Sequence, residues 1–226
     1  MDEQALSEAI ESLLVARNPR QMQVARAALR PGYYLRAARR LHDIRGTVLI
    51  GTGFPVAGTF ETDGPVGPSA IVSIERPGLA ADGRYYNMRG EDISAQCGVF
   101  DPFLTLADCP TIAIGDGGNE IGMGNIAEAI AGLDIRVAVT PCDELLVADV
   151  SNWGAYGLLA FLGLWAERDL LSEFSALETL RYLSERGSVD GVTRANTLTE
   201  DGLPPSEGEA VIRELRTLTG FLEAAA

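Results

Sequence analysis

The chain has 226 residues, and its 18 basic residues are all arginine against 32 acidic residues, which gives a net charge of −14. The absence of lysine excludes Schiff-base chemistry, a pyridoxal phosphate linkage and lysine-dependent phosphate loops, and the single histidine, His42, excludes a histidine-rich metal site. The acidic charge repels phosphate backbones, so we expect no nucleic-acid partner, and without an apolar run of ~20 residues we expect no membrane span.

Residues 1–45 predict an N-terminal helical arm, and their eight arginines and five acids give it a net charge of +3. Apolar spacing predicts a first helix over 3–17. Asn18 and Pro19 are typical of a helix start, which predicts a second helix ending near 29. A third helix over 33–45 would pack His42 on its apolar side. The basic excess indicates either a solvated face or contact with an acidic partner or another subunit, which leaves a homo-oligomer open.

From residue 46 onward, short apolar runs alternate with helical patterns. The runs predict strands over 47–50, 71–74, 111–114 and 145–148. Helices are predicted up to 165 after the Ser151 loop, over 172–186 with Gly187 as the stop, and near the end behind a capping box of Ser206 and Glu209. This alternation predicts an α/β fold with a mostly parallel sheet covered by helices on both faces.

We expect one domain over 1–226, made of the arm (1–45) and an α/β core (46–226). The acidic amino terminus lacks the apolar region of a secretory signal, which predicts a cytoplasmic location. Cys97, Cys109 and Cys142 are scattered without metal-type spacing, so reduced thiols are favoured over a disulfide or zinc site.

The loop after the third predicted strand, Gly115–Gly124, is the strongest motif in the sequence. It lacks the lysine of a Walker loop and the spacing of GxGxxG, which argues against a nucleotide cofactor. Its glycines, including Gly117 and Gly118, allow close backbone approach to an anion. Asp116, Asn119 and Glu120 offer hard oxygen ligands for Mg²⁺ or Mn²⁺. The alternative interpretation is a tight turn with surface acids.

Three further segments end or follow predicted strands. Glu61 and Asp63 lie in a second acidic loop, which is an ordinary turn unless it faces the first loop; in that case Asp63 joins a hard-metal site or the acids form an acid/base pair. The long polar segment 76–100 offers Arg76, Arg89 and Asn87, and its arginines either bind a substrate carboxylate or form surface ion pairs. Ser151 and Asn152 offer hydroxyl and amide donors, or a helix cap.

Several strings occur in order along the chain and together resemble the D-glutamate cyclase C-terminal domain family, DUF4392. They are 61–65 (ETDGP), 75–78 (ERPG), 82–90 (DGRYYNMRG), 115–124 (GDGGNEIGMG), 150–154 (VSNWG), 189–193 (VDGVT) and 201–204 (DGLP). The resemblance covers about residue 33 to the end. It implies an α/β domain and the conversion of D-glutamate to 5-oxo-D-proline and water.

The cyclisation that the resemblance implies gives each candidate residue a role. Asp116 or Glu120 would take a proton from the amine, and Glu61 or Asp63 would protonate the leaving oxygen. The N–H groups of Gly117 and Gly118, or a metal, would polarise the γ-carboxyl group. Arg76 or Arg89 would hold the α-carboxylate of this small acidic substrate. A metal-dependent phosphatase or amidase and a non-catalytic amino-acid binding domain are the two alternatives.

Overall fold

Four parallel strands form the centre of the fold in the computed structural model, which describes residues 2–52 and 67–223. They are β1 (Val48–Thr52), β2 (Ala70–Ile74), β3 (Thr111–Gly115) and β4 (Glu144–Val147), and they lie side by side in chain order. The side chains of β3 and β4 are buried along their whole length, as in a parallel sheet covered on both faces. The predicted α/β class and all four predicted strands are confirmed.

Eight α-helices surround this sheet or follow it among the described residues. They are α1 (Glu3–Leu14), α2 (Met22–Ala28), α3 (Tyr33–His42), α4 (Asp101–Thr105), α5 (Ala127–Ile130, preceded by a 3-10 turn at Met123–Ile126), α6 (Ser151–Trp165), α7 (Ala176–Ser184) and α8 (Pro205–Leu218). The chain divides into two compact units, 1–155 and 156–226, and the boundary falls within α6. No helix of the described residues is both long and apolar enough to cross a membrane.

Opposite faces of the sheet meet different parts of the first unit. On one face, the Tyr34 hydroxyl of α3 donates to the Val147 carbonyl at 3.3 Å, and a Cβ on Gly154 of α6 would lie 2.4 Å from Ile114 Cγ2. On the other face, a Cβ on Gly51 would lie 2.6 Å from the ring of Phe100, just before α4. Successive strand residues alternate between faces, so Gly51, in register with Ser73 and Ala113, lies on the face opposite to Ile114. Helices α3 and α6 therefore cover one face, and α4 helps to cover the other.

Helix α1 caps the start of α3 with two buried side chains. Glu11 accepts hydrogen bonds from Ser7 Oγ at 2.9 Å and from the Gly32 N–H at 2.8 Å, and Ser7 Oγ accepts from the Leu35 N–H at 3.2 Å. Burial raises the pKa of Glu11. The first N–H groups of a helix lack partners within it, so these contacts satisfy α3 from a neighbouring helix.

The basic charge of the arm is used in part within the same chain. Arg36 and Arg40 pair with the Glu144 carboxylate at 3.1 and 3.6 Å, and Arg20 pairs with Asp116 at 2.6 Å. These contacts fasten the arm to both ends of the sheet, since Glu144 begins β4 and Asp116 follows β3.

Several predicted details of the arm are wrong. Helix α1 ends at Leu14, and the second helix begins at Met22 instead of at Asn18 and Pro19. Asn18 has a left-handed backbone, and its side chain accepts from the Gln23 N–H at 2.9 Å within the turn. His42 is not packed: its side chain is 49% exposed beside Asp43, because α3 ends there and leaves the ring at the surface.

Two predicted helix starts in the second unit are also wrong. Helix α7 begins at Ala176, where Ser175 Oγ accepts from the Glu178 N–H. Helix α8 begins at Pro205, a residue suited to a first helical position. Ser206 therefore lies inside its first turn, and Glu209 accepts from Ser175 Oγ at 3.3 Å instead of completing a capping box.

Candidate active site

Polar side chains gather in the first unit where β2, β3 and β4 end. Glu75 follows β2, Asp116 follows β3, and Ser151 begins α6 shortly after β4. Parallel strands bring their carboxyl ends to one edge of a sheet, which is where α/β proteins bind ligands. The structure thus brings together two of the predicted polar segments, the glycine loop after β3 and the Ser151 segment after β4.

Asp116 lies at the centre of this edge and is 4% exposed. Its Oδ1 accepts from Arg20 Nη1 at 2.6 Å. Its Oδ2 accepts from the Ser151 N–H at 2.8 Å and from Ser151 Oγ at 2.5 Å. A guanidinium group and two hydrogen bonds all stabilise the ionised carboxylate. Three segments of the chain therefore meet at one charged group.

The turn that carries Arg20 is anchored by a second buried carboxylate. Asp149 accepts from the N–H groups of Arg17 at 2.7 Å and Asn18 at 3.0 Å, and its own N–H donates to the Leu14 carbonyl at 2.6 Å. Burial raises the pKa of Asp149, while these hydrogen bonds oppose the shift. The Arg17 guanidinium lies 4.8 Å from the centre of the Trp153 ring. The turn is thus fixed to the end of β4, which holds Arg20 against Asp116.

Glu75 is a site residue to which the sequence alone assigned no role. Its N–H continues the ladder by donating to the Ile114 carbonyl at 3.0 Å. A carboxylate oxygen of Glu75 lies within 4.8 Å of one of Asp116. Its backbone is left-handed, with φ of +57°, a strained state for a residue with a side chain that is enriched at functional sites. The available signal was an acid directly after a buried strand.

The glycine loop folds around the side chain of Glu120. This carboxylate is buried, and it accepts from the Gly118 N–H at 2.7 Å and the Asp116 N–H at 3.4 Å. Gly118 has φ of +114°, which favours glycine. Glu120 thus occupies part of the concavity predicted for an anion, and Gly118 donates to it. The Gly117 N–H donates to no acceptor among the described residues.

The segment 76–100 is docked on this loop through its backbone. The Gly78 N–H donates to the Asn119 carbonyl and the Ile121 N–H to the Arg76 carbonyl, both at 2.8 Å. The Asn119 side chain donates to the Tyr86 carbonyl at 2.9 Å. Asn119, predicted as a metal ligand, therefore makes a hydrogen bond that holds the loop and the segment together, whereas the side chain of Glu120, also predicted as a ligand, bonds within the loop.

The other predicted residues are distributed less centrally. Asn87 is buried, and its Oδ1 accepts from the N–H groups of Arg89 and Glu91, both at 3.0 Å, which shapes a turn that leaves Arg89 exposed. Asn152 is exposed on the first turn of α6. Glu61 and Asp63 lie outside the described residues, so their catalytic and metal roles stay predictions.

A cavity of about 500 Å³ lies at the opposite edge of the sheet, where the strands begin. It is mostly apolar, with Leu49, Ile71, Pro102 and Phe103 among its lining residues. The carboxylates of Glu75 and Asp116 do not line it. The candidate chemistry therefore belongs to the carboxyl edge.

Comparison with known proteins gives two matches. The profile of a family described as D-glutamate cyclase-like, C-terminal, matches residues 10–71 and 67–216. The human protein "D-glutamate cyclase, mitochondrial" is 41% identical over 100 residues, which cover 41% of this chain and 16% of the human protein. Because the family profile matches most of the sequence, the chain belongs to the D-glutamate cyclase-like, C-terminal family.

Proposed function

We propose that this chain catalyses the cyclisation of D-glutamate to 5-oxo-D-proline with release of water, a carbon–oxygen lyase reaction. The family match and the human relative's printed name support the link to D-glutamate. The observation that carries the proposal is the pair of carboxylates, Glu75 and Asp116, within 4.8 Å at the ends of adjacent strands. Paired carboxylates in different surroundings are suited to moving protons and holding charge.

Cyclisation requires a defined movement of protons. The α-amine nitrogen attacks the γ-carboxyl carbon, a carbon–nitrogen bond forms, and one carbon–oxygen bond breaks. The substrate ammonium group loses two protons, and both end in the released water. We assign this transfer to Glu75, whose carboxylate can accept a proton from the amine and return it to the leaving oxygen. Glu61 or Asp63 remains the alternative acid for the second step.

Asp116 has a different role because its oxygens are already bonded to Arg20 and Ser151. It presents a fixed negative charge toward the substrate ammonium group and positions it beside Glu75. The N–H of Gly117 is the remaining backbone donor for the oxyanion that develops on the γ-carboxyl group. Ser151 acts through Asp116 by holding its carboxylate in place.

The same carboxylate pair supports a second candidate, a hydrolase in which Glu75 and Asp116 would hold Mg²⁺ or Mn²⁺ and activate water. The ion pair between Arg20 and Asp116 disfavours it, because a guanidinium 2.6 Å from the carboxylate repels a divalent metal ion more strongly than it repels the singly charged ammonium group of the substrate. The cyclase therefore accounts better for the residues around Asp116.

The test is product formation by the purified full chain from D-glutamate and L-glutamate, with EDTA or with added Mn²⁺, followed by mass spectrometry for 5-oxoproline. We expect product from the D-enantiomer and continued turnover in EDTA. Glu75→Gln should abolish turnover, whereas the exposed carboxylate of Glu128 gives a matched control, Glu128→Gln. Turnover lost in EDTA and restored by Mn²⁺ would favour a metal-dependent site. Binding without product would favour the binding-domain alternative.

A further inference from the structure

Arg76 carries a buried positive charge for which the described structure supplies no carboxylate. The residue is 4% exposed, Nη2 donates to the Gly98 carbonyl at 2.8 Å, and the guanidinium lies 5.2 Å from the centre of the Phe100 ring. Nε is buried and has no hydrogen-bond partner. Among residues 2–52 and 67–223, no ion pair neutralises this group.

The nearby buried acid is committed to other donors. Asp101 accepts from Tyr85 Oη at 2.6 Å, from the Leu79 N–H at 2.9 Å and from Thr140 Oγ1. These three donors satisfy the Asp101 carboxylate, and two of them fix the segment 79–85 to it. The buried charge of Asp101 therefore needs no pairing with Arg76. The guanidinium is left with one backbone carbonyl and one aromatic ring.

A second orphaned polar group lies in the same buried region. Ser73 Oγ, on β2, is buried and has no hydrogen-bond partner. Its neighbour in register, Gly51, is covered by the Phe100 ring on which Arg76 lies. Buried polar groups are nearly always paired, and an unpaired buried charge is costly. Two such groups around one ring point to a polar ligand that completes the region.

We propose that Arg76 binds the α-carboxylate of an amino-acid substrate, the carboxylate that does not react. The inference rests on the proposed function, since Arg76 directly follows Glu75, to which the substrate amine is assigned. A carboxylate is the ligand class that matches a guanidinium by charge and by paired N–H donors. Arg89 is exposed and Arg76 buried, so desolvation strengthens the contact at Arg76 alone.

The experiment compares D-glutamate with 4-aminobutanoate, which keeps the amine and the reacting carboxyl group but lacks the α-carboxylate. Calorimetry measures binding of both compounds, and mass spectrometry measures their cyclised products. The variants are Arg76→Met and Arg76→Lys, and the control is Arg84→Gln, which removes an exposed arginine of the same segment that pairs with Asp92 at 3.5 Å.

We expect Arg76→Met to weaken D-glutamate binding and lower its kcat/KM by about 10- to 100-fold, the range for a hydrogen bond to a charged group, while 4-aminobutanoate is unaffected. Arg76→Lys should lie between the two because lysine keeps the charge without the planar fork. Arg84→Gln should match the parent chain. A purely structural Arg76 would instead weaken both compounds equally, and that result would overturn the inference.

The two proposals fail separately. If the parent chain forms no 5-oxoproline but binds D-glutamate in an Arg76-dependent way, the cyclase is wrong and the carboxylate site stands. If product forms and Arg76→Met and Arg76→Lys both preserve the preference for D-glutamate, the carboxylate site is wrong and the cyclase stands. Should Arg76→Met not fold, the Arg76→Lys preference decides. A parent chain that binds neither compound contradicts both proposals.

Discussion

Replacing Arg20 with glutamine removes the cation from the centre of the site and leaves Asp116 in place. The side chains of the pair are 17% and 6% exposed, and their atoms are 2.6 Å apart. Breaking a buried ion pair from one side costs about 3–5 kcal/mol. Asp116 keeps two hydrogen bonds from Ser151, so we expect a loss in the free energy of unfolding of about 3 kcal/mol.

The same change has a signature in the pH dependence of turnover. An opposite charge in contact with a carboxylate favours its ionised form by about one to three pH units. Without Arg20, the ionised form of Asp116 loses this stabilisation, so the acidic limb of the kcat profile for 5-oxoproline formation should move to higher pH. Arg20→Lys keeps the positive charge, so the acidic limb of its kcat profile should lie close to that of the parent chain.

Arg36→Gln is the matched control because it also breaks a contact between the arm and the core. Arg36 pairs with Glu144 at the opposite end of the sheet, where Arg40 remains. Denaturant unfolding should show a smaller loss than for Arg20→Gln, and the pH profile should not move. An unshifted profile in Arg20→Gln, or an equal shift in both variants, would refute the role given to Arg20.

Three further predictions concern single positions. Glu75→Gly should be about 1 kcal/mol more stable than Glu75→Gln in thermal unfolding, because glycine relieves the left-handed strain. Both variants should lose turnover. A glycine variant that is less stable than Glu75→Gln would contradict the strain argument. Gly122→Ala should lower the free energy of unfolding by about 1–3 kcal/mol, because φ is +95° and the new Cβ would lie 2.5 Å from Ala113 Cβ. Gly132→Ala is the control, since a Cβ there would have nothing within 4 Å. Equal losses for the two variants in calorimetry would contradict this reasoning. For Asp190, burial opposes ionisation but is outweighed by hydrogen bonds from Thr193, Gly202, Thr199 and Val192, so its pKa lies below the ordinary value. Its stabilisation is therefore present above the unfolded pKa near 3.9 and is lost as the pH falls through the lowered folded value. Asp190→Asn should cost about 1 kcal/mol at pH 7 and progressively less below about pH 4 in urea unfolding, and a cost that grows on acidification would contradict the assignment.

The four strands and one candidate site residue, Asp116, followed from local sequence. Each strand is a short apolar run that can be read from the sequence. Asp116 lies in a glycine loop directly after one of these runs, and this position made it a candidate site residue. The order of the strands did not follow from the sequence, and the structure places them side by side in chain order.

The remaining site residues depend on contacts between distant segments. Arg20 lies 96 residues before Asp116, in an arm whose charge alone favoured a solvated face or another molecule. Glu75 becomes a partner of Asp116 only through the adjacency of β2 and β3 and its left-handed backbone. Asn119 and Glu120 have the composition of metal ligands, but the tight loop turns both side chains onto neighbouring backbone groups.

The most direct test of the carboxylate pair measures 5-oxoproline from D-glutamate with the parent chain, Glu75→Gln and Glu128→Gln in parallel, with circular dichroism as the check on folding. We expect equal product from the parent chain and Glu128→Gln, and none from a folded Glu75→Gln. Full turnover by Glu75→Gln would contradict the claim that the carboxylate pair at the ends of β2 and β3 is the catalytic centre.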